Sequence, residues 1–118
     1  MEFHTAFLSE PLEERQARSL RLIKRYNGRY PVIIDRSSRF DPKISKHKFL
    51  IDSATTLSEM MFLLRKHIQL PPEKAMFLFC DNVLLSGNTT IGHLHHLCSL
   101  KYNDGFIYLL YSLESAFG

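Results

Sequence analysis

At 118 residues the chain is long enough for one hydrophobic core and too short for two. A content of 45% hydrophobic and 23% charged residues, with five Gly and five Pro, excludes a disordered or fibrous chain. The net charge of +3 is unevenly spread: residues 1–50 carry eleven Lys/Arg against six Asp/Glu, residues 51–118 four against six. A basic face follows, suited to acidic peptides, an anionic membrane surface or nucleic acid.

Residues 1–9 carry no clear pattern. The segment PLEERQARSLRLIKRY (11–26) reads as a helix: Pro11 suits its first turn, and Glu13 and Glu14 sit where the helix dipole favours acid. Leu12, Ser19, Leu22, Ile23 and Tyr26 make a rough apolar stripe, and Asn27-Gly28 stops the helix. RYPVIID (29–35) reads as a strand, SSRFDPKISKH as a loop, and KFLID (48–52) as a second strand antiparallel to the first.

Thr56-Leu57-Ser58-Glu59 is a capping box, in which hydroxyl and carboxylate each satisfy a backbone N–H. Leu57, Met60, Met61, Leu64 and Ile68 follow at helical spacing, with Arg65, Lys66 and His67 in the last turn and Pro71-Pro72 as the stop. AMFLFC (75–80) is a buried strand, Asp81-Asn82 a turn and Val83-Leu84 a short strand. Thr90 caps a brief helix through His96, GFIYLLY (105–111) is the last strand, and SLESAFG lacks periodicity, as a flexible tail does. This order, a helix followed by β-β-α-β-(β)-α-β, is an α+β plan: a ubiquitin-like β-grasp with an added N-terminal helix, with a ferredoxin-like sandwich as the alternative. The expected divisions are a helical arm (1–27), a β-grasp core (28–111) and a flexible C-terminal tail (112–118) in one compact domain.

The longest apolar run, 75–80, falls far short of the ~20 residues of a membrane span, and no signal peptide is expected from residues 1–9. Cys80 and Cys98 lack a disulfide framework and read as buried free thiols in a reducing compartment. His93, His95, His96 and Cys98 are suitable zinc ligands in kind, but HxHHxC lacks a second spaced pair and His95 points away from the others. Burial of Cys80 in an apolar strand raises its pKa, the wrong direction for a nucleophile. No catalytic residue, metal or cofactor is expected.

RYPVIIDR, KHKFL, LLRKHIQLPPEKAMFLF, DGFIYLLY and the final FG appear in one order and spacing across residues 11–118. In these segments the chain resembles the autophagy ubiquitin-like modifiers, the GABA-receptor-associated-protein and light-chain-three family. The resemblance implies activation of the Gly118 carboxylate through thioester enzymes and an amide bond to phosphatidylethanolamine on autophagosomal membranes. It also implies a processing and delipidating cysteine protease as a partner, and a protein that is cytoplasmic until lipidated. Glycine suits a terminus threaded to a catalytic cysteine, because it has no Cβ to clash. The chain is then a substrate of enzymes and not an enzyme.

The same resemblance implies strand addition by cargo receptors carrying acidic-flanked aromatic-x-x-aliphatic motifs. Carried over position by position, the first pocket is Leu22, Pro31, Ile33, Lys48, Leu50 and Phe106, and the second is Phe49, Ile51, Met60 and Leu63. Arg29, Lys46 and Lys48 are the contacts for the acidic flank. The sequence departs from the family pattern at Arg18, where an acid is common, at Asp52, where proline is usual, at Thr55, an aliphatic place, and at His67, which replaces an arginine. Two other readings remain beside this one. One is a ubiquitin-like scaffold that is never conjugated. The other is a basic RNA-binding module using Arg15, Arg18, Arg21, Lys24 and Arg25, with Tyr26 and Phe40 to stack; the family reading expects no specific nucleic acid.

Overall fold

The computed structural model describes residues 2–68 and 73–113. Helices α1 (Glu2–Leu8) and α2 (Leu12–Arg25) precede strands β1 (Arg29–Arg36) and β2 (Lys48–Asp52). Helix α3 (Leu57–Arg65), strands β3 (Met76–Cys80) and β4 (Val83–Leu84), helix α4 (Ile91–Tyr102) and strand β5 (Ile107–Leu113) follow. The five strands form one mixed sheet in the order β2-β1-β5-β3-β4, with β1 parallel to β5 and the other neighbours antiparallel. This is the ubiquitin-like β-grasp, carrying two N-terminal helices.

Both faces of the sheet are covered, which is why β1 reads as a continuous apolar run. Val32 and Ile34 point to one face with Ile107, Leu109 and Tyr111, where Leu57, Met60 and Leu64 of α3 and Ile91, Leu94 and Cys98 of α4 complete the main core. Ile33 and Tyr108 point to the other face, into a smaller cluster with Phe106 and with Phe7 of α1. Period-two alternation thus divides single strands between two cores.

The capping box forms as the sequence predicts: Glu59 N donates to Thr56 Oγ1 while Glu59 Oε1 accepts from Thr56 N. Thr90 caps α4 by accepting from His93 N, but the helix runs on to Tyr102, six residues beyond the predicted end. It stops where Asn103 turns left-handed, at φ 52°. Asp81 and Asn82 both take positive φ, the conformation of a tight two-residue hairpin, and join β3 to β4. Helix α3 ends at Arg65, so Ile68 pairs with Ile44 as an isolated bridge and does not continue the helix. The expected Pro71-Pro72 stop lies outside the described residues. Strand β5 extends to Leu113, two residues into the segment expected as tail.

Helix α2 docks only partly by its predicted stripe. Ser19 is buried as the stripe expects, but Leu12 and Tyr26 are exposed and Arg15, outside the stripe, is buried. Arg15 Nη1 donates to Asp104 Oδ2 at 2.5 Å, and Tyr108 Oη donates to the same oxygen. Phe106 N donates to Asp104 Oδ1 at 3.0 Å, and Ser19 Oγ to the Asp104 carbonyl at 2.5 Å. Burial and the adjacent Asp104 charge push the Tyr108 phenol pKa up, which keeps it a donor. Gly105, at φ +83°, lets the chain pass under α2; a Cβ there would meet Ser19 Oγ at 2.3 Å.

Asp104→Ala strands the Arg15 charge and the Tyr108 hydroxyl away from water. The expected loss is about 3–5 kcal/mol of unfolding free energy, measured by guanidinium titration against the wild-type chain.

Candidate functional site

Strand β2 is an edge of the sheet, and its free side is set by register. Ile34 N donates to the His47 carbonyl and Ser53 N to the Gly28 carbonyl, so alternation turns residues 47, 49, 51 and 53 toward β1. The backbone N–H and C=O groups of Lys48, Leu50 and Asp52 therefore point outward, in the arrangement that an added strand requires.

The two predicted pockets lie on opposite faces of this edge. Pro31 faces Leu50 and Ile33 faces Lys48 in the β1–β2 register, on the side covered by α1 and α2. Leu22 from α2 and Phe106 before β5 join Ile33 there. The structure thus brings the first set together. Phe49, Ile51 and Met60 of the second set are closed into the main core, and Leu63, 37% exposed, carries the accessible apolar surface there. Lys46, Lys48 and Arg29 are exposed along the edge. The Lys46 ammonium lies 4.9 Å from the centre of the Phe49 ring, and Arg29 stands opposite Asp52 in the β1–β2 register. A cleft of about 320 Å³ beside Leu22 is lined by Arg18, Arg21, Arg25 and Tyr26, which extends the positive charge along α2.

The sequence reading missed α1. Phe3 and Phe7 are four residues apart, followed by Leu8, which is the apolar spacing of one helical face. Phe7 packs edge-on against Phe106 at 4.9 Å, and Phe3 stacks on His47 at 4.2 Å. Asp35 on β1 accepts from the backbone N–H groups of Phe3 at 2.8 Å and His4 at 3.4 Å, satisfying donors of the first turn. Burial pushes the Asp35 carboxyl up, but the hydrogen bonds it accepts, Arg36 N and His4 N among them, prevail and hold it below the usual range.

The histidines near α4 do not converge. His95 stacks on Tyr30 at 3.9 Å, while His93 and His96 are exposed, and among the described residues no three metal-ligating side chains cluster. Cys80 and Cys98 are free, buried, and 3.8 Å apart at sulfur; their mutual hydrogen bond and burial push the Cys80 thiol up. Among the described residues no helix is long and apolar enough to cross a membrane.

Residues 14–118 match the family model described as autophagy protein Atg8, ubiquitin-like. The chain belongs to the Atg8 family. It is 38% identical over 112 residues to autophagy-related protein 8A of Oryza sativa subsp. indica, covering 94% of this chain and 92% of that protein. It is 37% identical over 116 residues to autophagy-related protein 8 of Saccharomyces cerevisiae, covering 97% of each. The crystal structure of Trypanosoma brucei ATG8 superposes with a TM-score of 0.80 at 29% identity, over 93% of this chain and 94% of that one. The protein is an Atg8-family autophagy ubiquitin-like protein.

The departures of this Atg8-family chain from the family pattern have structural uses. Arg18 pairs with Glu10 at 2.6 Å and lies over the Phe7 ring at 5.0 Å. Asp52 accepts from the Ala54 amide at 2.8 Å, closing the turn after β2. His67 Nδ1 meets Ser45 Oγ at 3.2 Å, and its ring stands edge-on to Phe49 at 5.3 Å.

His4 gives the α1 contact a pH dependence. Its Nε2–H donates to the Ile33 carbonyl at 3.1 Å, and its ring lies edge-on to Tyr108. Desolvation lowers its pKa from the ordinary 6.5, against the raising effects of the Ile33 carbonyl and Asp35; His47 lies nearby. A lowered folded-state value means the neutral form is favoured in the docked state. Docking is therefore intact above pH 6.5 and weakens as pH falls through the folded value. Amide hydrogen exchange in α1 should speed relative to the sheet between pH 7.5 and pH 5, and His4→Gln should flatten that dependence.

Proposed function

We propose that this chain is a conjugated modifier. The Gly118 carboxylate is adenylated by ATP with release of pyrophosphate, taken up by an enzyme thiol as a thioester with release of AMP, and passed to the amine of phosphatidylethanolamine, forming an amide as the enzyme thiol leaves. The observation that carries this reading is the family match, which extends over residues 14–118 and so reaches Gly118. Gly118 itself lies outside the described residues. The partners are activating and conjugating enzymes and a cysteine protease that trims or releases the tail. The protein is cytoplasmic, and attaches to the autophagosomal membrane once lipidated. The unconjugated scaffold makes the opposite prediction at this residue. With activating and conjugating enzymes, ATP and vesicles containing phosphatidylethanolamine, the wild-type chain should gain lipid by mass, and Gly118→Ala should lose at least nine-tenths of the product. Undiminished lipidation of the variant overturns the assignment.

The second activity is reading acidic-flanked aromatic-x-x-aliphatic peptides of cargo receptors and adaptors at the β2 edge. Support comes from the outward backbone of Lys48 and Leu50, the gathered Leu22, Ile33 and Phe106, and the exposed cations at Arg29, Lys46 and Lys48. The charge along α2 suits RNA less well than its sequence suggests. Arg15 is buried against Asp104 and Arg18 is paired with Glu10, leaving Arg21, Lys24 and Arg25 exposed. In a calorimetric titration with such a peptide, Leu50→Ala should weaken binding about tenfold or more and Lys48→Ala about threefold. Raised salt should reduce the Lys48 effect. Unchanged affinity in both variants refutes the groove.

A further inference from the structure

In the free chain the aromatic pocket already holds an aromatic ring. Phe7 is 3% exposed and sits among Leu22, Ile33, Phe106 and Tyr108, three of which are walls of the first pocket. The Lys48 ammonium lies 5.6 Å from the centre of its ring and the Arg18 guanidinium 5.0 Å, so two cations cover it. We propose that α1 is a self-ligand of the peptide groove: Phe7 holds the aromatic site, and an acidic-flanked aromatic-x-x-aliphatic peptide enters by displacing it. This rests on the β2 edge being a peptide groove and adds how that groove is regulated.

Three features make displacement feasible. The seven residues of α1 are too few to hold a helix alone, so its order comes from docking. The docking is local: Asp35 holds the first turn, His4 donates to the Ile33 carbonyl, Phe7 holds the far end, and no α1 residue belongs to the main core. The helix therefore leaves without opening the core behind β1. Finally, Ser9, Glu10 and Pro11 separate α1 from α2, a short non-helical joint about which α1 pivots while α2 stays pinned at Asp104.

The exchange also explains a selectivity for charge. An incoming aromatic side chain replaces one of similar size, so apolar burial nearly cancels and the surplus must come from elsewhere. A carboxylate on the peptide draws Lys48 and Arg18 off the Phe7 ring, and so attracts the newcomer while loosening the occupant. A neutral aromatic-x-x-aliphatic peptide lacks that leverage. Apparent affinity is reduced by the fraction of molecules in which the pocket is open.

The test uses the full chain and a synthetic Trp-x-x-Leu peptide with an Asp/Glu flank. Phe7→Ala, its fold checked by circular dichroism, should bind about tenfold tighter than wild type, and adding Leu50→Ala should abolish the gain. In wild type, peptide saturation should strip hydrogen-exchange protection from the amides of residues 5–8. This arm decides the matter if the variant does not fold. Protection retained at saturation, or equal affinity of wild type and folded Phe7→Ala, overturns self-occupancy and leaves the groove standing. Absence of binding by both proteins removes the groove reading and the proposal with it.

Discussion

The carboxylate of Asp104, fully out of water, is the constraint on which this arrangement depends. A buried carboxyl must be paired, and its partners come from three parts of the chain: Arg15 of α2, Tyr108 of β5 and the backbone of Phe106. With the Ser19 hydroxyl on its own carbonyl, it ties α2 to the entrance of the strand at the centre of the sheet. Helix α2 offers little apolar surface to hold it, since Leu12, Leu20 and Tyr26 face outward. The ion pair sets its position, and with it the position of Leu22, one wall of the proposed aromatic pocket. A polar knot under a helix thus determines the shape of an apolar site some residues away.

Much of the fold is legible in the sequence because local chemistry and final environment agree. The unbroken apolar run of β1 reflects burial on both faces. The Thr56–Glu59 box and the Asp81-Asn82 turn need only neighbouring residues to form. What the sequence hides are features that exist only through distant partners. The first turn of α1 takes the Asp35 carboxylate of β1, more than thirty residues away, as the acceptor for its N–H groups. Arg15 reads as one more surface cation until Asp104, eighty-nine residues on, buries it. The pocket residues were nameable through the family resemblance, since a strand of alternating Phe49, Leu50 and Ile51 looks the same whether it lines a groove or a core. Phe7 was out of reach by that route, because no matching segment of the resemblance includes it.

The basic amino-terminal half is likewise several things at once. Arg15 is structural, Arg18 and Lys48 sit over an aromatic ring, and Lys46 lies over another. Arg21, Lys24 and Arg25 remain as outward charge on α2. A count of cations therefore overstates the charge available to an external partner.

The parallel pairing of β1 with β5 has a consequence for reach. Both strands end at the same pole of the sheet, where Arg36 stands level with Tyr111 and Leu113 N is held by Asp41. From Leu113 to Gly118 there are five residues, a leash of at most about 18 Å when fully extended. Under the conjugation proposed above, a molecule joined to Gly118 stays within that distance of the pole where β1 and β5 end. A peptide taken at the β2 edge, as proposed, is then limited in its distance from the membrane by the length of that leash and the size of the folded body.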